Sequence, residues 1–575
     1  MKVTTRRNLL KTGAAGLGGL AALAGRAGAQ EAELGKVTKT GLIEAEKIAG
    51  VTFTDAERDQ MLPTIEEQLN AIQQLRAFEK PNTLAPAQTF DPRLPGHAYD
   101  LQVGASSLVT SPVPQRPLPI DEADVAFASV LQLSAWIKAG FLTSRRLTDI
   151  YLDRINRLDP TLHAWITVMP ERARAEAEQA DTEISRGQHR GPLHGIPYGL
   201  KDLFDAKGAK TTWGAQPYSE GAVAEADCTI VEKLKLAGAV LLGKTSCGAL
   251  AYGDIWYDGV TRNPFDPREG SSGSSAGSAS SVAAGLCAFA IGTETLGSLV
   301  SPSHRCGGSA LRPTFGRVSR AGGMALCWSL DKVGPMARSV EDLAVVMGAI
   351  NGYDPKDASS IATGFSYQPR RDFSGLRIGF DEAWREGATE AELTAFDRAL
   401  ALGAEQVEFK LPDLPSAPLV QQLMAEAAAA FDDLTLSNRD DEMVWQEEAA
   451  WPNGFRAARF LTAIDLIQID RLRRRWMQEM DKAFEGIDLV IGPNFASGML
   501  TPTNYTGHPS LVMRAGFQET KPRTMFGAVE DSDAAPAQTP VAVSLWAPLF
   551  RESTLLAFGA ALEDELRVAD TRPAL

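Results

Sequence analysis

The stretch Gly270-Ser271-Ser272-Gly273-Ser274-Ser275-Ala276-Gly277-Ser278-Ala279-Ser280-Ser281 holds seven serines in twelve residues. It runs without a charged break into Val282-Ala283-Ala284-Gly285-Leu286. Composition alone allows a flexible Gly/Ser linker. The apolar continuation is compatible with a helix instead, and small residues ahead of a helix leave backbone N–H groups pointing into a shared cavity. A second small-residue run, Gly292-Thr293-Glu294-Thr295-Leu296-Gly297-Ser298, follows a buried strand expected over 287–291. Such a turn lets N–H groups converge on one point, as acyl transfer requires, although an ordinary surface turn has the same composition. A third segment, Gly195-Ile196-Pro197-Tyr198-Gly199-Leu200-Lys201-Asp202, ends an apolar strand on a lysine. Most lysines are solvated; one desolvated at the end of a buried strand has a lowered pKa and can accept a proton.

Around these segments, short strand-like runs alternate with helices. Strands are expected over 196–200, 239–242, 287–291 and 488–491, and helices over 172–184 and 229–236. Thr143-Ser144 caps a further helix carrying Leu147, Ile150, Tyr151, Ile155 and Leu158. This alternation predicts an α/β fold with a central, largely covered sheet. Residues 390–485 are rich in Ala, Glu and Arg and read as mostly helical. Nearer the N-terminus, Met61, Leu62, Ile65, Leu69, Ile72 and Leu75 recur at helical spacing, with Pro63 marking a first turn or a break. Eight prolines between Pro81 and Pro119 predict an ordered wrap or linker over the surface. Residues 30–120 thus form a helical and Pro-rich extension, expected to pack on the main domain.

Together the three small-residue and lysine segments resemble the amidase-signature family, in the same order and at similar spacings. Ser272 to Ser278 match its Gly-Gly-Ser-Ser-Gly-Gly-Ser pattern, and Gly292 to Ser298 its Gly-Thr-Asp-x-Gly-Gly-Ser pattern. Arg305-Cys306-Gly307, Leu311-Arg312-Pro313-Thr314, Gly316-Arg317-Val318-Ser319, Gly334-Pro335-Met336 and Asn504 to Pro509 match further elements, so the similarity runs from about Val125 to the end. The resemblance implies a catalytic domain over 121–575, with a central mixed β-sheet covered by helices on both faces. It implies hydrolysis of an amide C–N bond in a small-molecule substrate, without a cofactor. Ser298 matches the nucleophile, Lys201 the general base, and Ser274 the bridging serine, preceded by a cis peptide bond from Gly273. The backbone N–H groups of Thr295, Leu296, Gly297 and Ser298 would form the oxyanion hole. Three positions depart from the pattern: Leu296 stands for glycine, Val300 for an arginine and Glu294 for aspartate. Leu296 and Val300 suggest a more apolar site, unsuited to a substrate carboxylate.

Rival readings draw on other features. Gly273-Ser274-Ser275-Ala276-Gly277 satisfies G-x-S-x-G, which would make Ser275 the nucleophile of an α/β-hydrolase esterase with His304 or His508 as its downstream base. A catalytically silent exported binding protein is a second alternative, and the amidase subunit of a tRNA-dependent amidotransferase a third. The formal net charge of −15 argues against nucleic acid as a partner. The N-terminus argues for export. Arg6-Arg7 precede a weakly apolar Gly/Ala/Leu run and then Ala27-Gly28-Ala29, the order of a twin-arginine-type signal over 1–29. A periplasmic or secreted protein is expected, and no stable membrane anchor after signal removal, because no second apolar run of 18 residues occurs. Cys228, Cys247, Cys287, Cys306 and Cys327 are widely spaced without a C-x-x-C pair, so neither a zinc site nor any other metal is expected, and the thiols read as small buried side chains.

Overall fold

A computed structural model describes residues 37–575 apart from 105, 495–497 and 531–532. The export signal expected over 1–29 lies outside the described residues.

Eleven strands of one sheet appear among the described residues, numbered here in chain order: β1 (Trp165–Val168), β2 (Pro197–Lys201), β3 (Val240–Thr245), β4 (Phe289–Glu294), β5 (Ser309–Arg312), β6 (Lys332–Ala337), β7 (Arg377–Phe380), β8 (Glu405–Glu408), β9 (Leu489–Pro493), β10 (Ser510–Thr520) and β11 (Ala537–Trp546). Their spatial order is β8-β7-β9-β11-β10-β5-β6-β4-β2-β3-β1. The sheet is mixed. The pairs β4/β2 and β2/β3 run parallel, whereas β6 joins β4 and β5 antiparallel. Every residue of β2, β3, β4, β5 and β6 is buried. Strands with no solvated face read as apolar runs rather than alternations, because helices cover both sides of the sheet.

The expected strands form within one or two residues of their predicted starts, and the helix expected over 229–236 spans Thr229–Leu236. Thr143 caps Ser144–Leu162, its side chain accepting from the Arg146 N–H. The Ser-rich segment is no linker: Ala276–Ala283 is a helix whose residues are all buried. Small side chains there let a helix approach the sheet closely, beside β4, β2 and β3. The five cysteines are buried free thiols.

The N-terminal extension divides into two behaviours. The Pro-rich stretch does wrap the main body. Asn82 donates to the carbonyl of Ala325, Phe90 packs edge-on to Phe315, and Ser107–Leu108 pairs with Ser366–Tyr367. The helix expected around Pro63 instead runs from Asp55 to Ala77 straight through that proline, started by a capping box between Thr54 and Glu57. None of its residues is buried. Of its apolar positions, Met61, Leu62, Ile65 and Leu69 are half-buried and Ile72 and Leu75 are exposed. Arg58 and the buried Glu46 instead tie it to Lys39–Ala49. Packing on the main domain is seen for the wrap, whereas this helix has no fully buried residue.

Candidate active site

Strand pairing brings the three segments together. Lys201 ends β2, and β4 lies beside it in parallel, so Thr293 comes alongside the lysine. Ser274 and Ser275 immediately precede the helix Ala276–Ala283 packed on the same strands. The fully buried Lys201 Nζ lies 2.9 Å from Ser274 Oγ, 3.1 Å from Ser275 Oγ and 2.8 Å from Thr293 Oγ1. Burial lowers its pKa to about 8, and the more remote charges of Asp331 and Glu294 only partly oppose this. The adjacent carboxylate, Asp202, is 2.7 Å from Lys244 Nζ. Lys201 is thus surrounded by hydroxyls, which favour an amine able to exchange protons with them.

The peptide bond from Gly273 to Ser274 is cis. Residue 273 has no room for a side chain, since a Cβ there would lie 1.8 Å from the carbonyl oxygen of Gly253. Ser298 lies in the loop between β4 and the helix Val300–Cys306, and its carbonyl accepts from the Ser275 N–H at 3.2 Å. It lines a cavity of about 1100 Å³ together with Gly273, Thr295, Leu296 and Gly297. Gly297 sits at φ 89°, a left-handed conformation that turns the loop and favours glycine.

Both ends of this loop are clamped. Asp331 accepts from Thr295 Oγ1 at 2.6 Å and from the N–H groups of Leu326 and Cys327. Glu294 accepts from the N–H groups of Leu299 and Val300. Its other oxygen takes bonds from Arg312 at 2.8 Å and Asn504 at 2.9 Å. The separate Leu311–Thr314 and Asn504–Pro509 motifs therefore converge on one buried carboxylate. Burial by itself would raise the Glu294 pKa, but Arg312, together with Lys332 and Asn504, lowers it to about 2. Glu294→Gln should leave the Arg312 guanidinium buried without its counter-ion, at a cost of about 3–5 kcal/mol. A thermal melt should show the drop; an unchanged Tm would mean that the pair is not what holds the loop.

The structure does not support the esterase arrangement. Ser275 donates to the Thr293 carbonyl and accepts from both the Thr293 N–H and Lys201, which uses the full capacity of a hydroxyl. His508 is bonded to Thr506 Oγ1 and stacked on Phe484. Burial lowers the pKa of both His508 and His304 to about 3. The expected effect of Val300 on the site is also corrected. Leu296 lines the cavity, but Val300 is buried in the first turn of its helix and does not. Thr293 and Asp331 were not singled out from sequence, since contacts made across strands leave no local signal. The helical region 390–485 does reach the cavity, through Leu423, Met424, Trp451 and neighbours.

The chain is similar to known proteins along most of its length. The chain is 36 % identical over 402 residues to a glutamyl-tRNA(Gln) amidotransferase subunit from Methylobacillus flagellatus, a match covering 64 % of this chain and 81 % of the relative. It is 34 % identical to the corresponding protein of Chloroflexus aurantiacus, across 68 % of this chain and 91 % of that one. The native peptide amidase of Stenotrophomonas maltophilia superposes with a TM-score of 0.67 at 30 % identity, over 78 % of this chain and 98 % of that one. With the amidase family model matching residues 146–556 and its solved members sharing the mixed sheet, the chain belongs to the amidase family and is a hydrolase of amide C–N bonds.

Proposed function

We propose that hydrolysis proceeds through an acyl-enzyme on Ser298 and that the protein works outside the cytoplasm. The observation that carries the chemistry is the buried Lys201 amine 2.9 Å from Ser274 Oγ. In its neutral form Lys201 accepts the Ser274 proton while Ser274 takes one from Ser298. The Ser298 oxygen then bonds to the amide carbon, and the carbonyl oxygen becomes an oxyanion facing the N–H groups of residues 295–298. Collapse breaks the C–N bond, and the relayed proton leaves with the amine. Water repeats the sequence on the ester, releasing a carboxylate and restoring Ser298. Peptide mass spectrometry during turnover of a slow amide should find the acyl group on Ser298. An adduct on Ser275 would refute this assignment.

Export rests on the Arg6-Arg7 signal pattern of 1–29. A reporter fused after this segment should cross the inner membrane and stay in the cytoplasm when both arginines become lysines. Cytoplasmic retention of the unaltered fusion would refute it.

The relatives' names favour a second reading, in which the chain is one component of an amidotransferase acting on a glutamyl-tRNA. The net charge of −15 opposes binding to a polyanion. Retention on immobilised tRNA at low salt would restore that reading.

A further inference from the structure

We propose that the site takes an uncharged amide bearing a large apolar group on one side of the scissile bond, seated against an aromatic wall made by Tyr252, Trp451 and Phe526. This rests on the reading of Ser298 as nucleophile. The cavity, about 1100 Å³, is at the upper end of what drug-sized ligands fill and far larger than a small aliphatic amide needs. Three distant stretches of chain supply the wall. The Tyr252 ring lies 5.0 Å from Trp451 and 6.3 Å from Phe526, and Trp445 braces both Tyr252 and Phe526 from behind.

The details favour apolar contact. Trp451 Nε1 donates to the Leu250 carbonyl at 3.0 Å, so its one polar atom is satisfied within the protein. Met525 lies so close to Gly253 that a Cβ there would meet its sulfur at 2.1 Å, which holds the 521–530 segment against the wall. Phe526 remains 63 % exposed, a large apolar side chain at the lip of the cavity.

Charge points the same way. Arg523 and Arg305 line the cavity, yet both are already engaged. Arg523 holds Glu269 at 2.7 and 3.1 Å, while Arg305 lies 3.6 Å from the same carboxylate and donates to the Thr524 carbonyl at 3.0 Å. Both guanidiniums thus already have protein partners, and a substrate carboxylate would also meet Glu448 in the lining.

The test compares kcat/KM for acetamide, butyramide, 4-phenylbutyramide and a chain-matched amide ending in a carboxylate. Each methylene that enters an apolar site is worth roughly fourfold, so 4-phenylbutyramide should exceed acetamide by at least about 100-fold, with the carboxylate analogue well below it. Phe526→Ala, at an exposed position that tolerates truncation, should shrink that ratio by about tenfold. Calorimetry of 4-phenylbutyramide with Ser298→Ala reads the subsite without chemistry and should show binding that acetamide lacks. Good turnover of acetamide with no dependence on size, or a preference for the carboxylate, would overturn the aromatic subsite and leave the nucleophile in place. Binding of 4-phenylbutyramide by Ser298→Ala together with its turnover by that same variant would support the subsite and overturn the nucleophile assignment.

Discussion

Ser298→Ala is expected to lower kcat for amide hydrolysis by about 10⁴–10⁶-fold, the range seen when the nucleophile of a serine hydrolase is removed. Its neighbours cannot take over. Ser274 is fully buried against Lys201, and Ser275 is saturated by Thr293 and the lysine. Only Ser298, of these three serines, lines the cavity where an amide can enter. Folding should be unaffected, because alanine removes one oxygen from a position facing the cavity. Ammonia or amine release, followed on the same preparation that gives an unchanged melting curve, measures the effect. Residual activity above a few per cent would move the nucleophile elsewhere.

Lys201→Met should cost roughly 10²–10⁴-fold, the usual contribution of a positioned general base. Methionine keeps much of the apolar stem and so limits the loss of packing. The same lysine sets the pH profile. A base works only in its neutral form, and burial brings the Lys201 pKa down to about 8. The rate should therefore rise with pH, levelling off above about 8, and at pH 6 stand about 100-fold below the plateau. In Lys201→Met this limb should vanish while His508→Ala keeps it, since His508 is buried, bonded to Thr506 Oγ1 and does not line the cavity. A limb that persists without Lys201 would assign the titration to another group.

Much of this site was readable from residue order, for a physical reason. Chemistry that needs close backbone approach restricts residue type locally. Gly273 is excluded from carrying a side chain by the Gly253 carbonyl, Gly297 occupies a left-handed turn, and the buried helix Ala276–Ala283 is built from small residues. Such constraints leave small-residue runs that stand out against ordinary composition. The buried strands 287–291 and 196–200 showed for a similar reason, since an element covered on both faces must be apolar throughout. The helix through Pro63 misled because apolar spacing marks a face without saying whether anything covers it. None of its residues is fully buried.

What the chain's order of residues determined by itself was the set of candidate reacting groups and the segments that carry them: Lys201 at a strand end, and Ser274 and Ser298 in turns of small residues. Tertiary structure decided which of them meet and in what protonation state. The Lys201 pKa is lowered to about 8 because the covered sheet and a buried helix shut it away from water. Glu294 stays ionised because two motifs nearly two hundred residues apart reach it together. The aromatic wall is likewise a product of folding: Tyr252, Trp451 and Phe526 carry no mutual signal along the chain. Desolvation and long-range contact depend on what surrounds a residue in space, and local sequence holds no record of that.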